Sequence, residues 1–583
     1  MSGTLISAIA WVPRGRAALE PKKYELNEAE LERVGKLGGP GVLEQLKEQM
    51  EKMEMEDEGE WEDAGEGEDD DEDDEEDDDA EDKDGEDDDA EDKDGEDEDM
   101  EVETKPHDPN DLSAFKMDEY DDEVSTGVGE LCRGTTLTLA MGAFANVKGL
   151  TYYRDNNDDP FITLKEDDEE IEREELALLA TDNMLVTART SDDLSGLDFH
   201  VYDENNESLY THHDLMLPTF PLCLEWLDFN SGASSSDDEK RTGNFIAVGT
   251  FDPSIEIWDC DVVDGLYPHA ILGQPTGIEK PEAKPLGTGK KKRRQMVQPT
   301  ANAEYHVQPV LTLSWTPKFR NLLLSGSADA TVKLWDLTRE SPMSASQSWD
   351  SIHGGEKVQG VEWNKAQAGA GTDSAVLSGG YDRVVKVWDA QTKSGEGFGV
   401  KVSEDIECVR WDPWSPTSFY VSLENGLVLA YDARTLSSSK NAQAKYTLAA
   451  HDGAASALDI NPHIRGCILT GGMDKTVKVW NVSDEETDGV AGRKRDISLA
   501  TSRDLGLGKV FAARWCPDPE APLTIAAAGS KATLQVWDVA SNPGARKAFG
   551  ERLRRHGREL KEIKKSGGVV ANNGGDDEDE DQD

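Results

Sequence analysis

Three histidine–aspartate pairs carry the residue types with which proteins most often move protons: His306 with Asp329, His353 with Asp382, and His451 with Asp474. A carboxylate that orients an imidazole is the arrangement that activates a serine or cysteine nucleophile. The spacing argues for something else. Members of the first and third pairs stand about 23 residues apart, and the second pair is wider because Ala366–Gly371 reads as an inserted loop. Three near-copies along one chain point to buried polar groups that satisfy one another rather than to catalysis.

Other reactive patterns are missing from the sequence. Gly289-Lys290 lacks the following Ser/Thr and the upstream glycine of a phosphate-binding loop. There is no G-x-S-x-G elbow and no H-E-x-x-H. His212-His213 is a local pair without a third ligand, so no metal is expected there. Asp82–Asp87, DKDGED, hints at a calcium loop, but Ala80 and Ala90 stand where an EF-hand needs aspartate. The six cysteines (Cys132, Cys223, Cys260, Cys408, Cys467 and Cys516) form no C-x-x-C pair, which fits free thiols in a reducing compartment. No run approaches the length of a membrane helix, and Leu5–Val12 is too short for a signal peptide. The expectation is a soluble intracellular protein with no catalysis, cofactor, metal, small-molecule substrate or membrane partner.

The remaining chemistry is charge. The chain of 583 residues has a formal net charge of −62, from 122 acidic and 60 basic residues. Trp61–Met100 alone contains 29 acids and 2 lysines, a composition that cannot offset the entropy of folding. Such acidity argues against a general nucleic-acid clamp and favours basic protein partners. Against this background Lys290, Lys291, Lys292, Arg293 and Arg294 form a basic loop suited to nuclear import, or secondly to RNA contact. Arg552, Arg554, Arg555, Arg558, Lys561, Lys564 and Lys565 form a second basic stretch, with Leu553, Leu560 and Ile563 as a partial apolar side. It reads as a helix that either meets RNA or a partner, or folds back on its own domain. Phe115, Met117 and Tyr120 form an apolar island in acidic surroundings, a candidate linear motif. Ser234, Ser235 and Ser236 precede acids and are candidates for phosphorylation.

The elements that position these residues are hairpins. Asn321–Asp336, NLLLSGSADATVKLWD, is two β-rich runs around a small polar turn, and one hairpin cannot bury its own faces. The pattern recurs at Phe245–Asp259, Ala375–Asp389, Cys467–Asn481 and Leu523–Asp538, in degenerate form at Phe419–Asp432, and weakly at Met184–Asp203. The hairpins near 321–336, 375–389 and 467–481 end on Trp335, Trp388 and Trp480, and each hairpin after the first follows another strand, usually with its own tryptophan. A period of this length with a W-D ending predicts β-propeller blades. Seven are reached only if Thr4–Pro13 supplies the inner strand of the first. That divides the chain into an N-terminal strand (1–13), an insertion (14–181), the propeller (182–544) and a basic helix with an acidic tail (545–583). Within the insertion, short helices are expected over 27–55, a disordered acidic tract over 56–104 and extended segments over 110–165. The outermost strand of the seventh blade is left between Ala545–Phe549 and part of Val147–Tyr153.

These units resemble WD repeats, whose blades often join a histidine before the innermost strand to an aspartate in the hairpin turn. Such a role for the three pairs is what the resemblance implies. WVPRG (Trp11–Gly15), EYDD (Glu119–Asp122), DPFITL (Asp159–Leu164), HHDL (His212–Leu215), LEWLDF (Leu224–Phe229), the lysine-rich loop and AFGER (Ala548–Arg552) are similar to one family in particular, the periodic tryptophan proteins. This resemblance covers nearly all of the chain outside the acidic tract, whose tandem repeat departs from it. It implies an all-β, seven-bladed WD-repeat propeller acting as a scaffold in the nucleus and nucleolus. Its partners would be ribosome-assembly factors, ribosomal proteins and the pre-rRNA of the large subunit. The competing reading is a chromatin protein that holds basic histone tails; a ubiquitin-ligase adaptor is disfavoured because no docking domain is evident.

Overall fold

The structure is a computed structural model that describes residues 4–24, 173, 176–192, 194–231, 242–274, 301–339, 343–350, 352–366, 373–436, 441–485, 494–555 and 568–571. The helices expected over 27–55, the acidic tract and the segments of 110–165 lie outside these residues.

Seven four-stranded antiparallel sheets follow one another around a ring. The inner strands are Leu5–Val12, Pro221–Phe229, Val310–Trp315, Val358–Trp363, Ile406–Trp411, Ala457–Ile460 and Val510–Trp515. Each packs against the next, and the first packs against the last. Leu5–Val12 pairs with Asn183–Ser191, so the N-terminus does supply the inner strand of blade one. Ile6, Ile9 and Trp11 then share a core with Ala526, Ala528 and Val536 of blade seven, which closes the circle and removes a free sheet edge. In six blades the inner strand is bulged near its start; in blade one the register shifts between Ile6 and Ala8. A bulge adds twist and re-aims a side chain, here Ser7.

The fourth strand of blade seven is Val569–Ala571, paired with Leu534–Asp538. Neither segment considered from the sequence supplies it: Val147–Tyr153 lies outside the described residues, and Ala545–Phe549 is helical. That helix, α1 (Pro543–Arg555), begins with a proline in its first turn and buries Ala545, Phe549 and Leu553. A spacing of four residues puts these three on one face, packed into the core with Trp537 and Val539. Residues following the inner strand of blade one also return to the ring. Arg14 meets Asp518 at 2.9 Å, the Ala18 N–H donates to Asp261 at 2.9 Å, and Lys22–Lys23 pairs in parallel with Val262–Val263.

The histidine–aspartate pairs are buried relays. His306 Nδ1 lies 3.0 Å from Asp329 Oδ2, His306 Nε2 is 2.7 Å from Ser325 Oγ, and the Trp335 indole donates to that hydroxyl at 2.8 Å. The same relay runs Asp382–His353–Ser378–Trp388 and Asp474–His451–Thr470–Trp480. A neutral imidazole donating through Nδ1 and accepting through Nε2 satisfies every group in it. Burial lowers the pKa of His306 and His451 despite the carboxylate beside each. The aspartates are placed by their own turns. Asp329 accepts from Thr331 N–H, Asp382 from Val384 N–H and Asp474 from Thr476 N–H. These bonds hold the intervening Ala330, Arg383 and Lys475 at φ +68°, +60° and +67°. The W-D aspartate serves a different turn: Asp336, Asp389 and Asp538 each accept the N–H two residues on.

Trp335 is fully buried, so Trp335→Ala is expected to cost about 3–5 kcal/mol in chemical denaturation. A variant that unfolds at the parental midpoint would show that Trp335 does not hold its blade. Although burial opposes it, bonds from Thr476 and His451 hold the Asp474 carboxyl down at about 2. A lowered folded pKa contributes stability above the unfolded value, near ~3.9, that is lost as pH falls through the folded one. The stability gap between the parent and Asp474→Asn should therefore narrow from about pH 4 to about pH 2. Denaturant titrations across that range measure it.

Candidate functional site

Lys290–Arg294, Ser234–Ser236, Phe115, Met117, Tyr120, Arg558, Lys561, Lys564 and Lys565 lie outside the described residues. Arg552, Arg554 and Arg555 lie in the last turn of α1 and divide by what they touch. Arg552 faces the ring: Nη1 donates to the Arg465 carbonyl at 2.6 Å and Nη2 to Asn481 Oδ1 at 2.7 Å, with the guanidinium over the Phe549 ring. Arg554 and Arg555 are exposed, and Arg555 pairs with Glu551 one turn earlier. His212 and His213 bond each other at 2.7 Å, His213 stacks on Phe199, and His212 meets the Leu176 carbonyl. No cluster able to hold a metal occurs among the described residues.

The described residues do bring together a site that the sequence reading passed over. Inner strands all run the same way along the axis, so their ends meet at one end of the ring. There the turns repeat W-x-P: Trp11-Val12-Pro13, Trp315-Thr316-Pro317, Trp411-Asp412-Pro413 and Trp515-Cys516-Pro517, with Ile460-Asn461-Pro462 in blade six. Together with Trp226 and Trp414, these indoles and prolines wall a cavity of about 420 Å³ at the axial mouth. Trp226 and Trp315 meet edge to face, their centroids 5.7 Å apart.

Apart from Lys365, which follows Trp363 by two residues, the polar side chains in this mouth come from the residue before the strand-ending tryptophan, or before Ile460 in blade six. In blades two, three, four and six that residue accepts the backbone N–H opening the next blade's turn. The Trp315 N–H donates to Glu225 at 3.0 Å, Trp363 to Ser314 at 3.0 Å, Trp411 to Glu362, and Trp515 to Asp459 at 2.8 Å. The other joints reverse the polarity. Arg410 Nε donates to the Leu458 carbonyl at 3.2 Å, the Trp11 indole to the Arg514 carbonyl at 3.3 Å, and Ser7 Oγ to the Pro221 carbonyl at 2.7 Å. Every joint of the ring thus carries a side-chain bond to backbone.

Charges alternate across the mouth. Lys365 Nζ is 2.9 Å from Glu225, Arg410 lies 3.7 Å from Glu362 and 4.0 Å from Asp459, and Arg514 is 3.8 Å from Asp459. Burial pushes the Glu362 carboxyl up against the pull of Arg410 and Lys365. Burial acts on Glu225 too, but Lys365 and the Trp315 N–H outweigh it and leave that carboxyl below its usual value. The inner-strand tryptophans were visible in the sequence as strand markers. Their preceding residues differ from blade to blade, so no repeat drew attention to them.

The family model described as "WD domain, G-beta repeat" matches residues 298–336 and 442–481. An uncharacterised WD repeat-containing protein of Schizosaccharomyces pombe is 36% identical over 94% of this chain and 92% of its own length. Periodic tryptophan protein 1 of Saccharomyces cerevisiae is 31% identical over 94% of this chain and 90% of its own. A Drosophila melanogaster homologue of that protein is 26% identical over 94% of this chain and 96% of its own.

Removing a joint acceptor should be felt as an orphaned N–H. Glu362→Ala strands the Trp411 N–H and leaves Arg410 without one of its carboxylates, at an expected cost of about 1–3 kcal/mol. Glu362→Gln keeps an acceptor and should recover most of that loss. Equal destabilisation of the two variants by urea titration would refute the joint.

Proposed function

This chain belongs to the periodic tryptophan protein 1 family of WD-repeat proteins, and from that premise we propose that it is a non-catalytic scaffold in assembly of the large ribosomal subunit. The reading is carried by the alignment with periodic tryptophan protein 1 along 94% of the chain, which runs far beyond the two matched WD repeats. WVPRG and LEWLDF, two of the motifs that carry the resemblance, contribute Trp11, Glu225 and Trp226 to the axial mouth. The role is nuclear and nucleolar, and the basic loop Lys290–Arg294 serves import.

The buried chemistry of the blades agrees with a scaffold. The histidines that could have served as bases are locked in relays with no open nucleophile beside them. Partners are assembly factors and basic ribosomal proteins, for which the acidic tract supplies the complementary charge. Pre-rRNA is met through the exposed cations at the end of α1, Arg554 and Arg555, and through the basic residues that follow them. Arg552 is excluded from that surface because both of its terminal nitrogens are engaged with blade six.

Sedimentation of nuclear extract tests the proposal. The protein should co-migrate with precursors of the large subunit and leave them on RNase treatment. Co-fractionation with nucleosomes, indifferent to RNase, would replace this reading with a histone-binding one.

A further inference from the structure

The acceptors of the axial mouth are already engaged, whereas its donors are not. Glu225, Glu362 and Asp459 each hold a backbone N–H of the next blade. Among the cations, Arg514 makes no side-chain hydrogen bond among the described residues; its nearest acid, Asp459, stands 3.8 Å away. Arg410 uses Nε on Leu458 and Nη1 on its own strand's Val409 carbonyl at 3.5 Å, leaving Nη2 unengaged. Lys365 gives one bond, to Glu225. Arg514 and Lys365 keep 31% and 41% of their side-chain surface open to solvent. A guanidinium has five N–H donors and an ammonium three, so the mouth carries surplus donor capacity although its formal charges balance.

We propose that the axial mouth binds a carboxylate-bearing side chain on an extended segment of a partner protein. The carboxylate sits between Arg514, Arg410 and Lys365, and apolar residues flanking it in the partner pack on the two partly open indoles, Trp226 and Trp414, and on the prolines of the wall. A fork of guanidinium donors matches a carboxylate in geometry and charge. Indoles around a few convergent polar groups are the composition of a protein-binding hot spot. A nucleic-acid strand fits less well. Its successive phosphates would pass Glu225, Glu362 and Asp459, and four of the indoles (Trp11, Trp315, Trp411 and Trp515) are buried, leaving no row of open faces for bases. The proposal is independent of the ribosomal reading, since it concerns the chemistry of the ligand and not its source.

Fluorescence anisotropy with the full chain tests it. The probes are fluorescein-labelled peptides of alternating glutamate and phenylalanine, of glutamine and phenylalanine, and of lysine and phenylalanine, together with labelled oligouridine. The glutamate peptide should bind, and Arg514→Gln should weaken it by about tenfold or more. Lys365→Gln should weaken it in the same direction. Lys531→Ala, in a turn at the opposite end of the ring, should leave it unchanged. Thermal melts of each variant separate loss of site from loss of fold. Binding of the lysine peptide to the acidic tract should be indifferent to Arg514. Three outcomes would overturn the proposal: no binding of the glutamate peptide, equal binding of the glutamine peptide, or dependence on Arg514 shown by oligouridine alone.

Discussion

The structure depends on closing a ring, and closure is a problem of edges between sheets. Each blade is a four-stranded sheet too small to be stable alone, with two apolar faces that only neighbouring blades can cover. Packing by itself is non-directional and would tolerate slippage of one sheet against the next. The inner strands prevent this by exchanging a directed bond at each joint, with a side chain of one blade on the backbone of the next. Where the residue before the strand-ending tryptophan (Ile460 in blade six) is Glu, Ser or Asp it accepts; Arg410 donates instead, and the Arg514 carbonyl accepts from the Trp11 indole. Blade one, with Ala10 at that position, makes its joint from the bulged Ser7 instead. The bond is conserved in function across the ring while the residue that makes it is not.

The blades hold themselves together in several ways around the same geometry. Three use the Asp–His–Ser/Thr–Trp relay. In blade one His200 bridges Thr187 at 3.0 Å and Thr211 at 3.2 Å, and burial keeps it neutral by lowering its pKa to about 4. In blade two the Trp258 indole donates to Glu256, whose carboxyl burial raises to about 7. Blade five replaces the relay with Tyr431 stacked on Phe419, and its turn relies on Gly426. That glycine has φ +80°, and a Cβ there would lie 2.0 Å from the His451 carbonyl oxygen of blade six. Blade seven has no relay: its Trp537 indole lies under the guanidinium of Arg503.

What the sequence made legible follows from what repeats. Alternating β-rich runs, polar turns and W-D endings recur, so the hairpins, the His–Asp pairs and the N-terminal strand that completes blade one could be read directly. The fourth strand of blade seven could not. Val569–Ala571 is three residues long and separated from its partner by α1, and nothing local distinguishes so short a run from a loop. Charge was equally ambiguous for Arg552, whose side chain looks identical in sequence to those of Arg554 and Arg555. Only the helix phase, with Phe549 and Leu553 inward, turns Arg552 toward Arg465 and Asn481. At the axial mouth the informative position varies between blades, and a search for repeats discards what varies.

A ring closed by directed joints also limits how the protein can work. Moving one blade relative to its neighbours would break a joint bond on each side and expose the apolar faces between them. Partners therefore meet a surface already in place, and the ordering entropy of association falls on the segment that binds. Preorganisation of this kind favours short extended segments that gain a fixed constellation of donors and indole surface without rearranging it. Under the proposed function, the negative charge of Trp61–Met100 contributes a long-range field that favours encounter with basic partners. The ring, whose acids at the axial mouth are engaged in holding its blades, offers a fixed shape and the few donors left unengaged.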